Sequence, residues 1–191
     1  PPRIILLQGR TERIARGRRA SGGSLPRDRL RGQTFSRGLQ APRKKGGNNM
    51  PVRYPSDAWI KELQGICNAD PEFRKLGEHF SGKFIFQIVA EPGVLEQPVF
   101  LFCWPDRGEV KEALEIASPE ERPDAEYIIT GSYPVWKNIV QARQEPLRAL
   151  MTRKLKLIKG KQLKLLKEVK LALKLMNSCT QVNAVYPDET A

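Results

Sequence analysis

The sequence predicts an α+β domain: one sheet of five strands, covered on one face by helices and preceded by a basic extension. Three observations predict it. The hydrophobic period switches along the chain from helical spacing to four β-rich runs, back to helical spacing, then to a fifth alternating run and a long amphipathic helix. The strand-like runs are separated by short turns, which implies antiparallel pairing, because a parallel crossover needs about a dozen residues or more. The length of 191 residues, with 40% hydrophobic and 28% charged residues, suits one globular domain with an extension.

The domain is expected to span residues 51–180, with a short C-terminal tail over 181–191. Ser56 caps the first predicted helix, which runs to Asn68; Asp57 sits at the positive end of its dipole, and Trp59, Leu63 and Ile66 share a face. Asp70-Pro71-Glu72 starts a second short helix, with Asp70 as cap and Pro71 at its first position, and Phe73, Leu76 and Phe80 facing inward. Lys83–Glu91 and Gln97–Trp104 read as strands divided by the Pro92-Gly93 turn. The second is a continuous apolar run, suited to a strand covered on both faces.

Past the turn Pro105–Gly108, Glu109–Ala117 alternates charged and apolar residues as an edge strand would, and Asp124–Thr130 follows as the fourth strand. Ser132–Gln141 and Glu145–Met151 return to helical spacing. Arg153–Lys159 alternates Lys with Leu, the pattern of a strand with one wet face. After Gly160, Lys161–Asn177 is predicted as a single long helix. Leu165, Leu166, Val169, Ala172, Leu173 and Met176 form its apolar arc, opposite a lysine face on which Leu171 and Leu175 intrude.

The net charge of +12 is unevenly distributed. Residues 1–50 hold 13 Lys and Arg against 2 acids, a net of +11, so the basic character of the chain belongs to its extension. This Arg-, Gly-, Ser- and Pro-rich segment buries too little apolar surface to offset its ordering entropy and reads as disordered. Four readings compete for it: upstream sequence translated before a start at Met50, an organelle transit peptide, a nucleic-acid-binding tail, and a twin-Arg export signal at Arg18-Arg19. Phe35 is its only aromatic residue, so stacking on bases is nearly absent and nucleic acid is a poor partner.

Three unpaired cysteines, Cys67, Cys103 and Cys179, and the single histidine, His79, exclude a disulfide framework and the common zinc sites. The expectation is a reducing, cytoplasmic setting without a membrane span, cofactor or metal. No nucleophile–base–orienter set is visible. Gly77–Phe84 mimics P-loop spacing, but Phe84 stands where Ser or Thr would hold magnesium, and the motif precedes a strand. The glutamates at 109, 112 and 115 fit solvated faces better than a catalytic pair. Nothing here argues for an enzyme.

What is abundant is apolar surface. A sheet roofed by amphipathic helices can enclose a cavity as readily as a packed core. A lipid site needs little more, since a buried methylene contributes about 0.8 kcal/mol and a sixteen-carbon chain on the order of 10 kcal/mol gross.

The stretch Asp124-Ala-Glu-Tyr-Ile-Ile-Thr-Gly-Ser132, then Trp136 through Gln144-Glu-Pro-Leu-Arg-Ala-Leu-Met151, then Lys154-Leu-Lys-Leu-Ile-Lys-Gly160 and the Leu/Lys helix, resembles the sterol carrier protein type-2 domain. The resemblance is strongest over 124–176, looser over 56–104, and leaves 1–50 uncovered. Where that family often has glycines, this chain has Ala142 and Thr152, and Lys161 replaces an Asp; these are turn positions. The resemblance implies a mainly antiparallel five-stranded sheet with a hydrophobic tunnel beneath its helices. It further implies non-catalytic binding and transfer of a sterol, fatty acid, fatty acyl-CoA or phospholipid. The alternative is a protein-interaction domain of the same fold that binds no lipid.

Matching elements to that family places Phe86, Phe100, Phe102 and Ile128 on the tunnel wall from the strands. Trp136, Leu147, Met151 and Leu155 join them from the middle of the chain, and Leu166, Val169 and Leu173 from the last helix. The net charge of residues 153–176 is +8, whereas 51–152 is net acidic. Lys164, Lys167, Lys170 and Lys174 on the last helix are therefore candidates to dock transiently on an anionic membrane.

Overall fold

The computed structural model describes residues 50–189. The expectations for the basic extension, residues 1–49, lie outside the described residues. Helix α1 (Asp57–Ala69) starts where Ser56 accepts a hydrogen bond from the Trp59 backbone N–H at 3.2 Å. It buries Trp59, Ile60, Leu63 and Cys67. Helix α2 (Pro71–Gly77) follows at once, and β2 (Phe84–Val89), β3 (Val99–Asp106) and β4 (Glu109–Ile116) form a meander, with the two-residue strand β1 (Val52–Arg53) preceding α1.

Strand β5 (Tyr127–Ser132) runs directly into α3 (Tyr133–Val140). Then come α4 (Pro146–Met151), β6 (Leu155–Lys159), α5 (Gln162–Lys167), α6 (Val169–Cys179) and the two-residue strand β7 (Ala184–Val185). The main sheet has the order β4-β3-β2-β5-β6, with helices over one face, which is the expected α+β class.

Three differences from the sequence reading have physical causes. First, β5 does not extend the meander but returns to the middle of the sheet, parallel to β2, with Phe86 beside Ile129. The whole β3–β4 hairpin serves as the crossover, so the length limit on parallel connections is met. Second, residues 181–189, in the expected short C-terminal tail, pack onto the domain. β7 pairs with β1 in parallel, and Asp188 accepts hydrogen bonds from the Tyr133 hydroxyl and the Lys137 ammonium, both at 2.8 Å.

Third, the final helix is two helices, interrupted at Glu168, whose backbone (φ −102°, ψ 25°) leaves the helical track. No helix-breaking residue stands there. α6 packs on α1, α2, α3 and α4, whereas α5 buries none of its residues and meets the core through the half-buried Leu165. The break changes which leucines are covered. Leu171, placed among the lysines by a straight helical wheel, is buried at 6% exposure, whereas Leu166 and Leu173 are more than one third exposed.

Asp70 ties α6 to the start of α2. Its Oδ1 caps α2 by accepting from the Glu72 N–H at 2.8 Å, and its Oδ2 pairs with Lys174 Nζ at 2.7 Å. Burial alone would raise this carboxyl. The Lys174 bond and the Glu72 and Phe73 amides outweigh it and hold Asp70 below the ordinary carboxylate range. A depressed pKa stabilises the fold above the unfolded value of about 3.9 and is lost as pH falls through the folded value.

Asp70→Asn keeps a capping oxygen and removes the charge, so it should cost about 1 kcal/mol at neutral pH. The difference from the unmodified chain should shrink to near zero in strong acid. Thermal midpoints measured from pH 7 downward check this; two curves that stay parallel would show that the Asp70 charge does not contribute.

Candidate functional site

The helices do not seal against the sheet. Between them lies a cavity of about 120 Å³, and a second void of about 30 Å³ shares Phe86, Cys103, Trp136, Leu175 and Met176 with it as common wall. The floor of the larger cavity is aromatic. Phe84 stacks between Phe80 and Phe86, with centroids 6.0 and 5.8 Å away, and Tyr127 stacks on Phe84 at 4.8 Å. Trp136 meets Phe86 edge to face at 5.5 Å, and its Nε1 donates to the Gln87 carbonyl at 3.0 Å, which fixes the indole. These rings reach the cavity because Phe84 and Phe86 are two apart on β2 and share its helix-side face.

The roof comes from α4, α5 and α6 through Leu147, Leu150, Leu165, Val169, Ala172 and Met176. Among the lining residues only Gln162 and Glu168 carry hydrophilic side chains, both on the roof. At the inner end, the Trp59 Nε1 is buried with no hydrogen-bond partner.

Seven of the candidate residues line the cavity: Phe86, Trp136, Leu147, Leu155, Leu166, Val169 and Leu173. Phe100, Phe102 and Ile128 do not. Phe102 pairs with Ile85, and Ile85 with Ile128, and residues directly opposite across strands point to the same face. These side chains therefore share the helix-free face with Ile85, where a smaller cluster is covered in part by the Arg122 guanidinium 4.6 Å above the Phe102 ring.

Met151 is also outside the cavity, at 71% exposure, because α4 ends with it and turns Ala149 inward. The sequence reading omitted Phe73, Phe80, Phe84, Ile129, Leu171 and Leu175 from the lining. The alternation of Phe84 with Phe86 was the available signal for one of these; the others depend on how the helices dock.

The cysteines, His79 and the glutamates at 109, 112 and 115, which the sequence brought up, are buried, exposed or bonded to neighbours. Burial pushes the Cys67 thiol up to about 12 and raises Cys103 and Cys179 as well, so no cysteine supplies a thiolate at neutral pH. His79 is on the surface, whereas Cys67 is buried. Glu109 pairs with Lys111, Glu112 with Arg122, and Glu115 accepts the Asp57 N–H that opens α1. Among the described residues no group of three or more His, Cys, Asp or Glu is placed to hold a metal ion. No described helix is long and apolar enough to cross a membrane.

Comparison with known proteins follows the same outline. A crystal structure of sterol carrier protein 2 superposes with a TM-score of 0.60 at 22% identity, covering 66% of this chain and 97% of that one. A solution structure of a conserved Thermus thermophilus protein, described as a candidate sterol carrier protein, gives 0.62 at 21% identity, covering 73% and 95%. At these identities the likeness concerns the fold. No curated protein matches the chain. The family model described as "SCP-2 sterol transfer family" matches residues 63–179, which is more than half of the chain and holds every element from α1's second half to the end of α6. The chain therefore belongs to the SCP-2 sterol transfer family.

Proposed function

We propose that this protein binds the apolar part of a lipid in the cavity between the sheet and helices α4–α6, and carries it without chemical change. The observation that carries the reading is the void itself: about 120 Å³ walled almost wholly by hydrocarbon and aromatic side chains. Packed interiors leave few voids larger than a water, and a hydrocarbon-lined space stays dry and takes up apolar molecules.

Size decides how a ligand fits. Engineered apolar cavities of about 150 Å³ admit benzene, so the space beneath the roof holds about six carbons, equivalent to roughly 5 kcal/mol of gross burial. A whole fatty acid, acyl-CoA tail, sterol or phospholipid chain requires the roof to open. Helix α5 is the element that opens at least cost. It buries no residue, and it lies between Gly160 (φ +113°) and the non-helical Glu168.

Titration of the purified chain with cis-parinaric acid tests the proposal. The expected result is saturable fluorescence at one ligand per chain, competed by oleate, cholesterol or palmitoyl-CoA according to the natural class. No uptake, together with stoichiometric capture of a protein partner, would instead favour an interaction domain with an unused cavity.

A further inference from the structure

We propose that the outer face of α4, α5 and the first turns of α6 is the surface by which this protein docks on an anionic lipid bilayer, with the cavity mouth turned to the membrane. This rests on the lipid-binding reading above. Two sets of residues coincide there. The first is apolar and exposed. Leu163 is 77% and Met151 71% exposed, and each lies one helical turn from a cavity-lining residue, Leu166 and Leu147. Leu166 and Leu173 do both: they line the cavity and stand more than one third exposed. Large aliphatic side chains in that position are the rim of an opening, and water is a poor environment for them.

The second set is basic. Arg148, Arg153, Lys161, Lys167 and Lys170 are exposed on this stretch and make no ion pair among the described residues. Two of the four lysines singled out from the sequence are engaged instead. Lys174 is held by Asp70 and Glu72 at 2.7 and 2.6 Å, and Lys164 pairs with Glu126 at 3.3 Å. The docking charge is therefore Lys161, Lys167 and Lys170 with the arginines around α4, and not the whole lysine stripe.

Aliphatic residues ringed by unpaired cations match a bilayer, whose anionic headgroups meet the cations and whose acyl region accepts the leucines. A nucleic acid would leave Leu163 and Met151 in water. Seating the mouth on the bilayer also lets an acyl chain pass between membrane and cavity without crossing water.

The test uses the full chain and phosphatidylcholine vesicles with and without phosphatidylserine. A Leu163→Cys variant carries an environment-sensitive fluorophore. The native cysteines are all buried and do not compete for the label. Lys111→Cys on β4, the sheet edge farthest from β6, is the control. The label at 163 is expected to shift to the blue on phosphatidylserine vesicles and the label at 111 to stay unchanged.

Lys167→Gln with Lys170→Gln should weaken vesicle binding about thirtyfold, taking about 1 kcal/mol for each lysine, whereas Lys174→Gln should change it little. Vesicle binding with the 163 label still in water, or an undiminished double variant, would place the contact elsewhere and overturn the proposal. Parinaric acid uptake in vesicle-free solution separates the two readings. Uptake without docking overturns the surface alone, and no uptake by the unmodified chain overturns the cavity.

Discussion

Ala172→Phe should abolish fatty-acid uptake and leave the protein folded. Ala172 is a half-buried residue on the cavity side of α6, next to Val169 and Leu173 and a turn from Met176. A phenyl ring from this position enters the void and takes the volume that a ligand's terminal carbons would occupy. Excluding burial worth roughly 5 kcal/mol should weaken binding by about a thousandfold or more. The same ring gains contacts with Phe84, Phe86 and Leu155, so folding stability should change by less than about 1 kcal/mol, the helix propensity loss included. A fully packed interior responds differently, since overpacking costs about 1–3 kcal/mol. Parinaric acid titration and chemical denaturation of the variant check both halves. Unchanged uptake would locate the ligand elsewhere, and a loss of several kcal/mol would show that no void exists.

Gly108→Ala should be the most damaging single methyl group in the domain. Arg107 and Gly108 form the two-residue turn between β3 and β4, and both have positive φ (47° and 82°). A Cβ on Gly108 would lie 2.3 Å from the Arg74 carbonyl oxygen and 2.9 Å from that residue's Cα, all backbone of α2. Gly77, the last residue of α2, abuts Gly108 too, with a Cβ there 2.9 Å from the Gly108 Cα, so the hairpin tip docks on the helix only because both lack side chains. Strain at φ and the enforced separation together should cost about 3 kcal/mol, or on the order of 10 °C in thermal midpoint. Gly65→Ala is the matched control. It sits exposed in α1 with nothing within 4 Å of the added methyl, and should stabilise by about 0.5–1 kcal/mol. Equal midpoints for the two variants would contradict this account.

These contrasts show which parts of the structure were legible in the residues. Ser56 and Asp70 announced two helix starts because capping is local chemistry. The alternation in Glu109–Ile116 located the sheet edge because one face of that strand is wet. Facing was not legible in Val99–Trp104, since an unbroken apolar run fits either side. Phe100 and Phe102 were therefore assigned to the cavity, while Leu101 and Cys103 in fact point toward the helices.

The interruption at Glu168 leaves no mark in the sequence either. Beyond it Leu171 packs against α2, where its Cδ1 lies 3.5 Å from the position of a Cβ on Gly77. The pairing of Lys174 with Asp70 joins residues far apart in the chain, so the four lysines named as docking candidates include one that is a clasp. The local pattern thus specified the elements, and contacts distant in sequence specified which side chains the cavity and the surface receive.

The most direct test of the central claim is native mass spectrometry of the chain as purified, followed by solvent extraction of whatever is bound. The account predicts a lipid at close to one per chain, released by unfolding and absent from Ala172→Phe. A bare unmodified chain that also leaves parinaric acid in solution would contradict it, and would make the space between the sheet and α4–α6 an unused gap in a packed domain.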